Sequence, residues 1–97
     1  MDYTDDRFSW DEEKAVKNAQ DHGVTFEEAK KVFDDPCDVE FFDPDHSTPE
    51  EPRWIRIGLS ERRLLFVVFT LREDRLRIIH ARKANKTMER IYVEQSS

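Results

Sequence analysis

Ninety-seven residues, 39% of them charged and 37% hydrophobic with only two glycines, bound one polar-surfaced domain over residues 1–97, with residues 1–6 and 95–97 expected to fray. The single cysteine, Cys37, excludes an internal disulfide, and the longest apolar run, residues 64–69, is far too short to span a membrane. The formal charge of −6 hides a split: residues 1–52 carry 17 acidic against 5 basic side chains, residues 53–97 only 5 against 11. With no apolar stretch in MDYTDDRF to serve as a secretion signal, a reduced cytoplasmic setting is expected. The charge split has two readings: a basic face that meets an anion, or an acidic half that folds over the basic half and neutralises it.

Residues 1–6 read as a polar tail, and residues 7–10 alternate as a short edge strand. Asp11 is an N-cap, followed by Glu12 and Glu13 where the helix dipole favours negative charge. The spacing predicts a helix over 12–22, closed by Gly23 in the left-handed position. Thr25-Phe26-Glu27-Glu28 is a capping box for a second short helix with Phe26, Ala29, Val32 and Phe33 on one face, stopped by Pro36. Residues 37–42 alternate as a strand, and residues 43–52, with three prolines, form a loop. Three strands follow, over 53–59, 63–72 and 75–82, with turns at Ser60-Glu61-Arg62 and Glu73-Asp74. Asn85 caps a last helix with Met88, Ile91 and Tyr92 as its apolar stripe. The order β-α-α-β-β-β-β-α predicts an α+β fold: an antiparallel meander with N-terminal and C-terminal helices packed on it.

Tight turns would pair Ser60 with Arg63 and Arg72 with Arg75. Arg53, Thr70 and Arg77 then lie side by side on one face, with Ile55, Val68 and Ile79 beside each other further along and Arg72 and Arg75 at the hairpin tip. Arginine presents a planar fork that grips phosphate in two contacts and keeps its charge, so this end of the sheet is a candidate phosphate or nucleic-acid site. The alternative is a solvated strand end beside Glu73 and Asp74. In the same register Arg82 falls on the opposite face and at the far end.

Lys14, Asn18 and His22 form a polar ridge on the first helix, where His22 is either functional or a dipole-stabilised surface group. His46, in the acidic loop, is a weak candidate for metal binding, and His80, alternating with Ile78, is expected to face a helix. No CxxC, HExxH, EF-hand or glycine-rich phosphate loop occurs, so no cofactor and no metal are expected. What remains is chemistry on a polyanion that carries its own nucleophile. RNA does, in its 2′-hydroxyl, and needs alignment, proton transfer and neutralisation of the phosphate.

Phe8-Ser9-Trp10-Asp11, Lys14, Asn18, His22-Gly23-Val24, Phe26-Glu27-Glu28-Ala29 and Val32-Phe33-Asp34-Asp35-Pro36 resemble the opening of the BrnT family. Glu51, Arg53, Ile57-Gly58, Leu65 to Thr70, Arg72, Arg77-Ile78-Ile79, Ala81-Arg82, Ala84, Glu89-Arg90 and Tyr92 fit its second half, so the resemblance covers residues 8–94. It implies a RelE-like fold and a metal-independent ribonuclease toxin of a type II toxin–antitoxin pair that inhibits translation. It also implies a BrnA-like antitoxin, a heterotetramer of two toxins and two antitoxins, and promoter DNA bound only through the antitoxin. By position it implies Arg53, Arg72 and Arg82 for phosphate contact, and Lys14, His22, Glu51 and Glu89 for proton transfer or substrate positioning. Pro52 and His80 depart from the family pattern. A degenerate toxin that binds nucleic acid or protein without catalysis is the alternative.

Overall fold

The computed structural model describes residues 1–96. The elements are β1 (Asp2–Thr4), β2 (Phe8–Asp11), α1 (Glu12–His22), α2 (Phe26–Lys30) running into a 3-10 turn (Lys31–Asp34), β3 (Val39–Phe42), β4 (Trp54–Leu59), β5 (Leu64–Arg72), β6 (Arg75–Lys83) and α3 (Lys86–Ser96). They form one α+β unit with a six-stranded sheet in the order β1-β2-β6-β5-β4-β3.

The caps act as their sequences require. Asp11 accepts from the Lys14 backbone N–H at 3.0 Å, Thr25 from that of Glu28 at 3.0 Å, and Asn85 from that of Met88 at 2.9 Å. Gly23, at φ 66°, closes α1. The hairpin β5–β6 turns on Glu73 and Asp74, both with positive φ, the left-handed pair that a two-residue hairpin demands even without glycine.

Leu65, Val67 and Phe69 point to one face of the sheet and pack with Phe8, Trp10, Val24, Phe26, Ala29, Val32 and Phe33 under α1, α2 and the 3-10 turn. The alternate residues Phe66 and Val68 join Ile55 and Ile57 on the other face, covered by Met88, Ile91 and Tyr92 of α3. The run over residues 64–69 is continuously apolar because both its faces are buried.

Four expectations change. The sheet is mixed, because β2 pairs with β6 in parallel through Phe8↔Leu76 and Ser9↔Arg77. The opening residues, read as a tail, contain β1: Tyr3 stacks on Trp10 with ring centroids 4.1 Å apart, and the Asp2 carboxylate takes two hydrogen bonds from Arg77. α3 runs to Ser96 where fraying from residue 95 was expected, and Ser97 lies outside the described residues. The fourth change is a β-bulge. Ser60 and Arg63 pair as expected, and so do Arg72↔Arg75 and Thr70↔Arg77, but Val68 faces His80 instead of Ile79. One extra residue on β6 reverses its alternation beyond that point. Ile79 still packs on the α3 side, but Arg82 now stands opposite Phe66, on the face of Thr70 and Arg72 and not on the opposite one.

The β1–β2 turn is clamped by Lys30, whose Nζ donates to Asp5 at 2.9 Å and to the Tyr3 hydroxyl at 3.2 Å. Burial pushes the Asp5 carboxyl up, but donors from Lys30, Tyr3, Phe8 and Arg7 outweigh it and hold the group well below the usual range. A depressed folded pKa stabilises the fold above the carboxyl's ordinary value of 3.8, and the contribution is lost as pH falls through the folded value. Asp5→Asn is therefore expected to melt well below the parent at pH 7, with the gap shrinking in steps at about pH 4, 3 and 2 in thermal unfolding. A gap independent of pH would mean that the clamp's charge contributes nothing.

Candidate active site

Continuing the β3–β4 ladder one pair beyond Phe42↔Trp54 sets Asp43 against Arg53, with the Asp43 N–H donating to the Arg53 carbonyl at 2.9 Å. Continuing β4–β5 sets Arg53 against Thr70, which pairs with Arg77, which pairs with Ser9 of β2. A polar row thus crosses the end of the sheet on the α3 side. The loop of residues 43–52 folds over it, and the Thr70 hydroxyl donates to the Pro52 carbonyl at 2.7 Å.

Glu51 is the centre of this end. One carboxylate oxygen accepts from Arg53 at 3.1 and 3.3 Å, and the other accepts from Arg72 at 2.5 Å. The Arg72 hydrogen bond keeps the Glu51 carboxyl below its usual range, burial opposes this, and Arg53 adds to the lowering. Two guanidinium forks therefore converge on one planar anion, the arrangement a phosphate would need. Arg77 is not available to it, since it is buried and held by Asp2. The Nε of Arg75 donates to the Asp5 carbonyl at 2.7 Å.

A second group lies further along the same face. The bulge sets His80 against the last turn of α1, with the rings of His22 and His80 4.7 Å apart. Burial lowers the His80 pKa, and the charges of His22, Arg82 and His46 add to the lowering. Lys14, Lys17, Asn18, Asp21 and His22 line a depression of about 170 Å³ with Ile79 and His80. The Arg82 guanidinium lies 4.6 Å from the centre of the Phe66 ring and has no ion pair among the described residues. The β5 partners of Arg53 and Arg82, Thr70 and Phe66, are four residues apart, about 13 Å along the strand.

The seven residues proposed from sequence are thus divided. Arg53, Arg72 and Glu51 meet. Lys14 and His22 share the depression with His80, whose ring feels the Arg82 charge. Glu89 is exposed in the first turn of α3, and among the described residues no side-chain hydrogen bond or ion pair ties it to either group. Sequence reasoning missed two features. Asn18 is buried and completes the open edge of β6, donating to the Ala81 carbonyl at 2.8 Å and accepting from its N–H at 3.1 Å. Asp43 is buried at 3% exposure and engages His46, an i, i+3 pair whose only signal was its spacing in a proline-rich loop.

An α+β sheet with a basic end, two arginines preset around an anion and histidines on the same face define a small domain suited to a phosphate backbone. The chain belongs to the BrnT family: the model described as "Ribonuclease toxin, BrnT, of type II toxin-antitoxin system" matches residues 10–87. Membership implies an RNA target and an antitoxin protein partner. No curated protein matches the chain. No helix among the described residues is long and apolar enough to cross a membrane.

Proposed function

We propose that the protein is a metal-independent endoribonuclease of RelE-like fold that cuts RNA in the cytoplasm and inhibits translation. A BrnA-like antitoxin neutralises it in a heterotetramer of two toxins and two antitoxins, which meets promoter DNA through the antitoxin. The observation that carries this reading is the convergence of Arg53 and Arg72 on the Glu51 carboxylate. An RNA phosphate displaces that carboxylate and inherits both forks. The 2′-hydroxyl attacks the phosphorus, the bond to the 5′-oxygen breaks, and the arginines neutralise charge as it builds on the phosphoryl oxygens. Arg82, further along the face, holds a neighbouring phosphate. Lys14 and His22 position the strand beside α1, Glu51 positions the arginines, and Glu89 contacts the strand only where it passes α3.

The second reading, a binding module without turnover, is favoured by the same ion pairs, because Glu51 already neutralises both arginines. Purified, antitoxin-free protein decides between them. With excess EDTA, single-stranded RNA is expected to be cut to 2′,3′-cyclic phosphate and 5′-hydroxyl ends. Folded protein that binds RNA and leaves it intact would overturn the nuclease reading, and activity that returns only with added metal would overturn its metal independence.

A further inference from the structure

The β3–β4 loop contains a pair of groups that no role above uses. Asp43 is buried, with its side chain 4% exposed, while the His46 side chain is 53% exposed. The His46 Nδ1 lies 2.5 Å from Asp43 Oδ2. A carboxylate only accepts, so in the neutral imidazole a hydrogen on Nδ1 makes this contact and Nε2 is the ring's free acceptor. The carboxylate is itself fixed, since its Oδ1 accepts from the Asp45 N–H at 3.1 Å.

The loop ties this pair to the arginine site. Ser47, next in the chain, donates its hydroxyl to the Asp43 carbonyl at 2.6 Å and accepts from the Arg53 N–H at 2.7 Å. Asp43 is also the cross-strand neighbour of Arg53. The pair therefore sits at the strand end that carries Arg53. The charged residues tied to His46 are Asp43 and, through Asp43, Asp45 of its own loop and Arg53 across the strand pair. Among the described residues no carboxylate is hydrogen-bonded to His22, and its ring meets His80.

We propose that His46 is the general base of the ribonuclease reaction and that Asp43 is its positioning residue; this rests on the nuclease reading above. Nε2 takes the proton of the 2′-hydroxyl as the bond from O2′ to phosphorus forms. The bond from phosphorus to O5′ breaks, the leaving oxygen takes a proton from water, and His46 later returns its proton to solvent. The carboxylate keeps the ring in the tautomer that can accept and stabilises the imidazolium that forms.

The test uses purified, antitoxin-free toxin, an RNA oligonucleotide, and the all-2′-deoxy oligonucleotide as a probe of binding alone. His46→Gln is expected to lower kcat by about 100- to 10,000-fold. Binding of the deoxy oligonucleotide should stay within about threefold of wild type, because the base acts on a hydroxyl this probe lacks. Asp43→Asn is expected to lose about as much activity as His46→Gln, since its amide no longer fixes the tautomer. Should Asp43→Asn fail to fold, His46→Gln alone carries the test. Wild-type cleavage that His46→Gln matches within about threefold from pH 5 to 9 overturns the base and leaves the nuclease reading standing. An equal loss of binding and rate in a folded His46→Gln protein assigns His46 to binding and overturns the base too. Wild-type protein that cannot cut RNA overturns both.

Discussion

Asn18→Ala is expected to lower stability by about 3–5 kcal/mol, a large part of what a domain of this size has. The Asn18 amide serves three buried backbone groups: the Val24 carbonyl at 2.9 Å, and both the carbonyl and the N–H of Ala81. Among the described residues β2 pairs with β6 at Leu76 and Arg77 alone, and beyond that point no strand lies on the outer edge of β6. One asparagine, donating and accepting, replaces it at Ala81. Alanine leaves those groups buried without partners, each at about 1–3 kcal/mol. Thermal unfolding is expected to move down by roughly 15–30 °C. Lys17→Ala, on the exposed side of the same helix, should stay within about 0.5 kcal/mol, because surface ion pairs such as Lys17–Asp21 contribute little. A loss below about 1 kcal/mol for Asn18→Ala would show that water takes over the exposed edge.

Arg53→Ala and Arg72→Ala are each expected to cost about 100- to 1,000-fold in kcat/KM for RNA, on the scale of removing a preset donor from developing charge. The double variant should lose less than the product of the two, since both arginines are proposed to act on one phosphate. Glu51→Gln separates two roles for the carboxylate. As the group that holds the arginines until substrate displaces it, its removal lowers KM and leaves kcat nearly unchanged. As the proton carrier, its removal lowers kcat by about 100-fold or more with little change in KM. The lowered pKa of Glu51 favours the first outcome, because a strongly paired carboxylate is a weak base. Arg77→Ala is a structural contrast, since Arg77 is spent on Asp2.

The charge split resolves largely in favour of neutralisation. Glu51 pairs with Arg53 and Arg72, Asp2 with Arg77, Glu28 with Arg63, and Asp38 and Glu40 with Arg56. The two readings of the sequence meet at Glu51, where the contact that neutralises two arginines is also the one proposed to receive a phosphate.

Local chemistry made much of the fold legible. A side chain that caps a helix acts within three residues, so Asp11, Thr25 and Asn85 could be read directly. The supposition of tight turns holds as far as the bulge, and it sets Arg53, Thr70 and Arg77 in one row. The family resemblance was legible for the same reason: its motifs lie in order along the chain.

Tertiary structure alone decided the rest. β1 is too short and polar to signal itself, and it forms because Tyr3 finds Trp10 and Asp2 finds Arg77, 75 residues away. The parallel pairing of β2 with β6 brings together segments whose sequences do not refer to each other. The bulge at Ile79 turns Arg82 to the face of Arg53 and Arg72, and nothing in strand alternation announces an inserted residue. The arginines were readable as a type of chemistry, since charge and shape belong to the residue. Which of them stay open to a phosphate was not, because that depends on which distant carboxylate the folded chain brings beside each one.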